Sequence, residues 1–306
     1  MIALQESVLL APYTTFGIGG PARYFLEATS DDAIREALLW ARERMVPVYI
    51  IGGGSNLLVP DDGLEALVIK VATDNWSADG DTVTAHAGAN LDHLIRKMAM
   101  VKLGGLEKMA GIPGTLGGAV RGNAGAFGTE IKDAIISVRV MNMHTLAITE
   151  MPNPECEFGY RQSIFKRRPE LIILGARLRM STVEPKAATN AIIETIAERE
   201  RRHIQNVRAA GSYFMNPIAK ESVRHLFEAE KGVSSREGRV PAGWLIEKAG
   251  GKGMREGDAM SSEQHADYIV NMGHATAKDV RALAEKLKTL VKERFDVEIR
   301  EEAVIL

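Results

Sequence analysis

The stretch Val46-Pro-Val-Tyr-Ile-Ile-Gly-Gly-Gly-Ser-Asn-Leu-Leu58 decides how this sequence is interpreted. A short β-rich run leads into three glycines and two polar residues, and two leucines follow, so the pattern predicts strand, turn and strand. Bare backbone amides in the glycine turn can surround an anion because no side chain stands in the way. Taken alone, the three glycines are about as typical of a tight turn as of a ligand-binding loop.

A second glycine-rich stretch strengthens the ligand-binding interpretation. Seven glycines fall between Gly111 and Gly128, so the sequence predicts a backbone-rich loop there rather than a regular element. Neither stretch contains the Gly-x-x-x-x-Gly-Lys-Ser/Thr string of P-loop proteins, nor a Gly-x-Gly-x-x-Gly turn between a strand and a helix. P-loop nucleotidases and Rossmann dehydrogenases are therefore disfavoured.

Three helices are predicted from apolar residues at helical spacing. The first follows Ser30, a good N-cap residue, and runs past Ala41, and the second lies between Asn90 and Leu103. The third follows Thr276, which has Asp279 three residues later in a capping pattern.

The remaining pattern predicts strands, a further helix and a domain boundary. Strands are expected at residues 135–141 and 171–178 and within 297–306. Residues 184–189 should form a connection into a charged helix that ends near His203, with Glu198–Arg202 on a solvated face. Trp244 and Leu245 should lie in the core. The sequence thus predicts an α+β protein with domains 1–183 and 184–306.

Composition argues against several kinds of partner. Thirty-eight Lys and Arg residues balance 40 Asp and Glu residues, leaving a net charge of -2 and no basic field to attract nucleic acid. The single Cys156 permits no intrachain disulfide, and no apolar run approaches membrane-spanning length, so we expect an unprocessed cytoplasmic protein without membrane association. The seven histidines form no His-Glu-x-x-His or Cys/His cluster, so no metal site is expected.

Several segments, taken in chain order, resemble those of one family. They are Thr14-Thr-Phe-Gly-Ile-Gly-Gly-Pro-Ala22, Gly52-Gly-Gly-Ser-Asn-Leu-Leu58, Ala110-Gly-Ile-Pro-Gly-Thr-Leu-Gly-Gly118, Gly122-Asn-Ala-Gly-Ala-Phe-Gly128, Phe158-Gly-Tyr-Arg-Gln-Ser-Ile-Phe-Lys166, Gly211-Ser-Tyr-Phe-Met-Asn-Pro217 and Ala242-Gly-Trp-Leu-Ile-Glu247. They resemble the UDP-N-acetylenolpyruvoylglucosamine reductases over nearly the whole chain. Because there is no room between Arg179 and Gly211 for the Tyr-bearing substrate loop of one branch, the chain resembles the shorter branch.

That resemblance implies a flavoenzyme. An FAD-binding domain of the vanillyl-alcohol-oxidase type, in two subdomains, would end near Val183, and an α/β substrate-binding domain would follow. NADPH would give hydride to non-covalently bound FAD and leave. UDP-N-acetylglucosamine enolpyruvate would then take its place and accept the hydride, yielding UDP-N-acetylmuramate for peptidoglycan synthesis.

The resemblance also assigns binding residues. The implied FAD contacts are Gly52, Gly53, Gly54, Ser55, Asn56, Ile112, Pro113, Gly114, Thr115, Gly117, Gly118, Asn123 and Gly125. The first five would hold the pyrophosphate, for which hydroxyl and amide donors beside bare backbone amides are suitable. Tyr160 and Asn216 would contact the substrate, with Tyr160 packing beside it rather than performing chemistry.

Three residues match the family's catalytic positions. Arg161 would bind the substrate carboxylate in bidentate fashion and stabilise negative charge on the carbon beside it. Ser212 would protonate that carbon, and Glu302 would help to stabilise and protonate the intermediate. Without the surrounding motifs, Arg161 is more typical of a surface ion pair, Ser212 of a turn or cap, and Glu302 of an exposed strand face.

Departures from the family pattern keep alternatives open. Met215 stands where the family commonly has a lysine, and the usual Leu-Glu-x-Glu-Val segment is Ile299-Arg-Glu-Glu-Ala303 here. A basic contact to the substrate diphosphate is therefore missing or supplied elsewhere, with Lys220 and Lys252 as candidates. A flavin oxidase or dehydrogenase with another substrate, or a non-catalytic nucleotide-binding protein on the same scaffold, remains an alternative.

Overall fold

The computed structural model describes residues 2–202 and 207–306. The helices within these ranges are α1 (Asp31–Glu43), α2 (Leu91–Met100), α3 (Leu116–Gly122), α4 (Ile164–Arg167), α5 (Pro185–Arg202), α6 (Glu221–Lys231), α7 (Ala242–Lys248) and α8 (Ala277–Phe295). The strands are β1 (Gln5–Leu9), β2 (Pro21–Ala28), β3 (Val48–Ile51), β4 (Leu57–Leu58), β5 (Leu64–Val71), β6 (Trp76–Asp79), β7 (Thr82–His86), β8 (Leu103–Gly104), β9 (Gly125–Ala126), β10 (Thr129–Glu130), β11 (Ile135–Asn142), β12 (Ile148–Pro152), β13 (Leu171–Arg179), β14 (Ser181–Thr182), β15 (Arg255–Glu256), β16 (Ala259–Ser261), β17 (Ile269–Asn271) and β18 (Val304–Ile305).

The chain divides into two compact units. Unit 1 consists of the chain up to Val8, Ala22–Gly54 and Leu64–Arg199. Unit 2 consists of Leu9–Pro21, Ser55–Gly63 and Glu200–Leu306.

Unit 1 contains a sheet with parallel strands and a covering helix. The sheet order is β1-β2-β5-β3, and β5 pairs in parallel with both β2 and β3. Helix α1 begins where Ser30 accepts a hydrogen bond from the Ala33 amide, and it buries Ile34 and Leu38. Because an unpaired amide at a helix start is satisfied by such a cap, the first predicted helix is confirmed together with its start.

A second sheet of unit 1 is antiparallel. Its order is β12-β11-β13-β7-β6, with β11 and β13 paired along most of their length. Helix α2, capped by Asn90, buries Leu91, Leu94 and Ile95, and both sheets share one hydrophobic core. Both sheets belong to unit 1, and the two subdomains expected within it stay a prediction.

The glycine-rich stretch from Gly111 to Gly128 is more regular than its composition suggests. Helix α3 occupies Leu116–Gly122, and β9 and β10 form a small hairpin after it, so the predicted loop is wrong over these residues. Burial of Leu116 and Val120 against the core offsets the low helix propensity of the glycines. The helix ends at Asn123, whose left-handed backbone with φ 43° turns the chain away.

Unit 2 gathers distant parts of the chain around its own core. Strands β15, β16 and β17 form an antiparallel sheet, and β18 pairs in parallel with β4, which lies far from it in sequence. Helix α8 begins at the predicted capping box, in which Thr276 and Asp279 exchange hydrogen bonds. Trp244 and Leu245 are buried in this core, as predicted.

Helix α5 differs from the sequence prediction in the burial of one charged residue and in its bounds. Arg199, predicted to lie on a solvated face, is 8% exposed and lies against Gly111, a tertiary contact that the local charge pattern does not encode. The helix begins at Pro185, so the predicted connection over residues 184–189 is wrong from that residue onward; a proline is tolerated in the first turn of a helix, where its missing N–H would be unpaired in any case. The helix ends at Arg202, and His203 lies outside the described residues. The last residue of unit 1 is Arg199, and the domain boundary near Val183 stays a prediction.

Within residues 2–202 and 207–306, no helix has the length and apolar character to cross a membrane.

Candidate active site

The predicted cofactor loops of unit 1 touch each other at glycines. A Cβ atom on Gly53 would lie 2.8 Å from the Cα atom of Gly114, and one on Gly52 would lie 2.6 Å from the Thr115 hydroxyl oxygen. Gly54 and Gly114 also have left-handed backbones, with φ 64° and 113°. Because larger residues would push the two loops apart, the contact between them is made by backbone atoms at glycines.

The second loop is fastened to the unit 1 core on its other side. The amide of Gly117 donates to the Ala87 carbonyl at 2.8 Å, and a Cβ on Gly117 would lie 2.9 Å from that of Ala87. Thr115 caps α3 by accepting from the Gly118 amide at 3.3 Å. Gly117 therefore serves the packing of the protein itself, whereas Gly118 has more room.

The other end of the first loop belongs to unit 2. The chain passes into this unit after Gly54, and the Asn56 side chain donates to the Glu302 carbonyl at 3.0 Å. The Asn56 carbonyl in turn accepts from the Val304 amide at 2.9 Å. Asn56 thus fixes the C-terminal segment that carries Glu302.

Arg161 lies in unit 1 on a strained turn. Its backbone has φ 54°, a left-handed value that is uncommon outside glycine and often marks functional positions. Its Nη2 atom donates to the Gly125 carbonyl at 3.1 Å, and its guanidinium carbon lies 5.3 Å from the centroid of the Tyr160 ring. The structure therefore brings three of the predicted residues together: Tyr160, Arg161 and Gly125.

Asn123 holds this turn through a side-chain hydrogen bond. It is fully buried, its amide donates to the Gly159 carbonyl at 2.8 Å, and its oxygen accepts from the Lys132 amide at 3.3 Å. Burial disfavours the charged form of nearby Glu130, but hydrogen bonds from Lys132 and Asn123 and the charge of Arg161 lower its pKa on balance. A direct contact of Asn123 with a cofactor stays a prediction, because these hydrogen bonds serve the protein.

Ser212 and Glu302 lie on paired segments of unit 2. The Glu302 amide donates to the Tyr213 carbonyl at 2.8 Å, and the Met215 amide donates to the Arg300 carbonyl at 2.9 Å. Ser212 and Glu302 are both partly exposed, so each can meet a ligand. Arg161, the third predicted catalytic residue, belongs to unit 1.

A further residue of this site was missed from the sequence. Asp267 is 2% exposed; its carboxylate accepts from the Phe214 amide at 2.9 Å, and it is hydrogen-bonded to the Ser212 side chain. Burial raises the pKa of the Asp267 carboxyl well above its usual range; the Phe214 hydrogen bond opposes this rise, and the charge of Glu302 adds to it. An acid within the otherwise apolar run that follows His265 was the available signal.

The predicted substrate residue Asn216 is positioned by α7. Its side-chain oxygen accepts from the Ala242 amide at 2.9 Å, and its carbonyl accepts from Arg239 at 3.1 Å. No group of three or more potential metal ligands is found in residues 2–202 and 207–306.

Two family models match this chain. A model described as FAD binding domain matches residues 22–145, and the C-terminal domain of UDP-N-acetylenolpyruvoylglucosamine reductase matches residues 202–306. An FAD-binding domain followed by the C-terminal domain of a reductase defines a flavin-dependent oxidoreductase.

Full-length relatives identify the family. The UDP-N-acetylenolpyruvoylglucosamine reductase of Solibacter usitatus is 40% identical over 98% of this chain and 96% of its own length, and that of Pseudomonas aeruginosa is 37% identical over 98% of each. The crystal structure of the Thermus caldophilus enzyme has a TM-score of 0.77 and 31% identity, covering 100% of this chain and 99% of that chain. The chain belongs to the UDP-N-acetylenolpyruvoylglucosamine reductase family. The predicted family, fold class and enzyme class are confirmed, and the individual site residues stay predictions.

Proposed function

We propose that this chain reduces UDP-N-acetylglucosamine enolpyruvate to UDP-N-acetylmuramate with NADPH, through non-covalently bound FAD, in cytoplasmic peptidoglycan precursor synthesis. The observation that carries the proposal is the near-complete match to reductases of this name, which includes the C-terminal domain as well as the FAD-binding domain. The side chains of the site agree, because they offer a guanidinium, a hydroxyl and carboxyl groups, the groups this reaction needs.

The cofactor residues fit a dinucleotide. The glycine loops meet through their backbones, with 2.8 Å between a Cβ on Gly53 and the Gly114 Cα atom, and the backbone amides of such loops would be suited to an anionic ligand. Residues 52–56 would hold the FAD pyrophosphate, and residues 112–118 with Asn123 and Gly125 would line the rest. Bound FAD would supply hydride to the enolpyruvyl double bond. Neither loop contains His or Cys, so no covalent flavin link is expected.

Arg161 would bind the substrate carboxylate. Hydride addition leaves negative charge on the carbon beside the carboxylate, and a guanidinium that grips both oxygens spreads that charge. The hydrogen bond from Nη2 to Gly125 and the Tyr160 ring hold the guanidinium in place before substrate arrives. Tyr160 would pack beside the substrate, and Asn216 would contact it.

Ser212 would complete the reaction by protonating the charged carbon. The Ser212 O–H bond breaks as the new C–H bond forms, and Glu302 would help to stabilise and protonate the intermediate. A hydroxyl is a poor acid in water, so its neighbourhood has to assist it.

An anaerobic two-step assay tests the proposal. NADPH should bleach the flavin absorbance, and adding the enolpyruvyl nucleotide should restore it, with one nucleotide reduced for each NADPH oxidised. UDP-N-acetylglucosamine, which lacks the double bond, is the control and should leave the flavin reduced. A flavin that is reoxidised by oxygen but never by the enolpyruvyl nucleotide would point instead to an oxidase with another substrate.

A further inference from the structure

The turn that carries Asp267 is held firmly in unit 2. It joins β16 to β17, the Ser261 hydroxyl donates to the Ala266 carbonyl at 2.8 Å, and the Tyr268 amide donates to the His265 carbonyl at 2.9 Å. Ser261 is fully buried. Asp267 therefore projects from a fixed turn rather than from a loop free to adjust.

Asp267 in turn holds the segment that begins with Ser212. Its main-chain carbonyl accepts from the Tyr213 amide at 2.8 Å, and its carboxylate oxygen Oδ1 accepts from the Phe214 amide at 2.9 Å. The Ser212 side chain hydrogen-bonds the same carboxyl group. One buried acid thus contacts three consecutive residues, the first of which is the proposed proton donor.

The surroundings favour a neutral acid. Asp267 is 2% exposed, and Glu302, the charged group that acts on it from the C-terminal segment, is of the same sign. Burial has the largest effect on the pKa of Asp267, and it outweighs the hydrogen bonds from Phe214, Ser212 and Tyr213, each of which lowers that pKa. On its own turn the rings of His265 and Tyr268 pack against each other with centroids 5.1 Å apart. Burial raises the pKa of Asp267 well above its usual range, so the acid form persists above the pH at which an exposed aspartate ionises.

Protonation decides which way the Ser212 hydroxyl points. An ionised carboxylate only accepts hydrogen bonds, so it would take the Ser212 proton as its own partner. A neutral acid has one oxygen to accept from the Phe214 amide and one O–H to donate to the Ser212 oxygen, which leaves the serine proton for the substrate.

We propose that Asp267 acts through Ser212 as a buried proton relay in the reduction of the enolpyruvyl group, an inference that rests on the proposed function. As the Ser212 O–H bond breaks and the substrate C–H bond forms, the Asp267 O–H bond breaks and a new O–H bond forms on Ser212. The resulting carboxylate regains its proton from solvent after product leaves. Asp267 is a positioning residue, because it touches Ser212 rather than the substrate.

The test is Asp267→Asn, followed by stopped-flow absorbance of the reduced flavin. Asparagine keeps one acceptor for Phe214 and one donor for Ser212 but transfers no proton. Reoxidation by the enolpyruvyl nucleotide should slow by about 10- to 100-fold, less than the whole of general acid catalysis, while reduction by NADPH stays unchanged. In the wild type the rate should fall as pH rises through the pKa of Asp267, and this limb should vanish in the variant.

Solvent isotope effects give a readout that a structural role would not move. In mixtures of H₂O and D₂O, wild-type reoxidation should show a more strongly curved dependence than Asp267→Asn, because the relay adds one proton in flight to the Ser212 proton and to the flavin hydrogen, which also exchanges with solvent. Curvature that requires three hydrogens in flight supports the relay on the wild type alone, even if the variant folds poorly, and a wild-type dependence that one or two hydrogens account for would overturn the relay.

Ser261→Ala is the matched control, because it removes a buried hydrogen bond from the same turn without touching Ser212. It should keep the wild-type pH limb and isotope effect. An equal loss of reoxidation rate in both variants would show that Asp267 has only a structural role. Wild-type reoxidation by Asp267→Asn would contradict the relay but leave the proposed function intact. A wild-type enzyme whose flavin the nucleotide never reoxidises would overturn the proposed function and the relay together.

Discussion

The predicted cofactor loops of unit 1 and the Ser212 cluster of unit 2 are built in different ways. In unit 1, the predicted FAD loops are backbone surfaces pressed together, with a Cβ on Gly53 2.8 Å from the Gly114 Cα atom. In unit 2, the site is a set of side chains in which Asp267 is 2% exposed and bonded to Ser212, with Glu302 nearby. The proposed role of the first region depends on the absence of side chains, and that of the second depends on the ionisation and hydrogen bonding of side chains.

This difference implies opposite sensitivities. Adding atoms to the glycine loops should harm cofactor binding, whereas removing or neutralising atoms in the Ser212 cluster should harm one chemical step. Arg161 combines both features, because a left-handed backbone with φ 54° presents a charged side chain. The substitutions below separate the two kinds of dependence.

The largest effect is expected from Ser212→Ala. General acid catalysis contributes roughly 10²- to 10⁴-fold, so flavin reoxidation by the enolpyruvyl nucleotide should slow by that factor, about 3 to 5 kcal/mol of barrier. Reduction of the flavin by NADPH should be almost unchanged, because that step involves no enolpyruvyl carbon. Anaerobic stopped-flow absorbance follows the two steps separately.

Ser212→Cys is the companion variant, since a thiol is similar in shape and lower in pKa, and it should restore part of the rate. Equal slowing of both steps in Ser212→Ala would indicate a damaged flavin site. An unchanged reoxidation rate would mean that another acid delivers the proton, with Glu302 the first candidate.

The next largest effect is expected from Arg161→Lys. Lysine keeps the charge and the unbranched Cβ but cannot grip a carboxylate with two parallel N–H groups, so kcat/KM for the nucleotide should fall by roughly 10²-fold. Steady-state kinetics measure the loss. Arg168→Lys is the control, because Arg168 pairs with Glu170 at 2.8 Å on the surface, and it should behave as the wild type. Equal activity of both variants would return Arg161 to the surface-ion-pair interpretation.

Local sequence patterns predicted the elements whose causes are local. Helices α1 and α8 begin at Ser30 and Thr276 because a side-chain cap and helical spacing lie within a few residues of each other. Helix α3 was missed because buried Leu116 and Val120, rather than its glycines, stabilise it. Buried Arg199 was missed for the same reason, since the contact with Gly111 joins residues far apart in sequence.

The same distinction between local and long-range causes applies to the predicted site residues. Resemblance of short motifs marked Arg161, Ser212 and Glu302, but the partners of those residues depend on long-range contacts. Asp267 lies 53 residues from the Phe214 amide that it accepts from, and Asn56 lies 246 residues from the Glu302 carbonyl. A buried acid can be noticed in an apolar run, but its partner cannot be identified without the fold.

A smaller effect, on cofactor binding, is expected from Gly53→Ala. The new methyl group would lie 2.8 Å from the backbone of Gly114, so the two loops must separate. Overpacking costs about 1 to 3 kcal/mol, which should raise the FAD dissociation constant roughly 10- to 100-fold. Fluorescence titration of the flavin measures this constant.

Gly122→Ala is the matched control, because a Cβ there meets nothing within 4 Å and the glycine lies in α3. It should bind FAD as the wild type does and gain about 0.5 to 1 kcal/mol of stability from the helix. Unchanged FAD affinity in Gly53→Ala would remove the first loop from the cofactor site.

The smallest effects are expected at two helix starts, one in each unit, where the function of neither region is touched. Ser30 caps α1 by accepting from the Ala33 amide at 3.1 Å, so Ser30→Ala should lower the free energy of unfolding by about 1 kcal/mol. Thr276 caps α8 by accepting from the Asp279 amide at 3.0 Å, but Asp61 also accepts from the Ala277 amide at 2.7 Å. Because that carboxylate remains at the start of α8, Thr276→Ala should cost less, roughly half as much. Urea unfolding measures both costs, and flavin fluorescence checks that FAD binding is unchanged. A larger cost for Thr276→Ala than for Ser30→Ala would show that Asp61 does not support the helix, and a loss of FAD in either variant would break the separation between binding surface and scaffold.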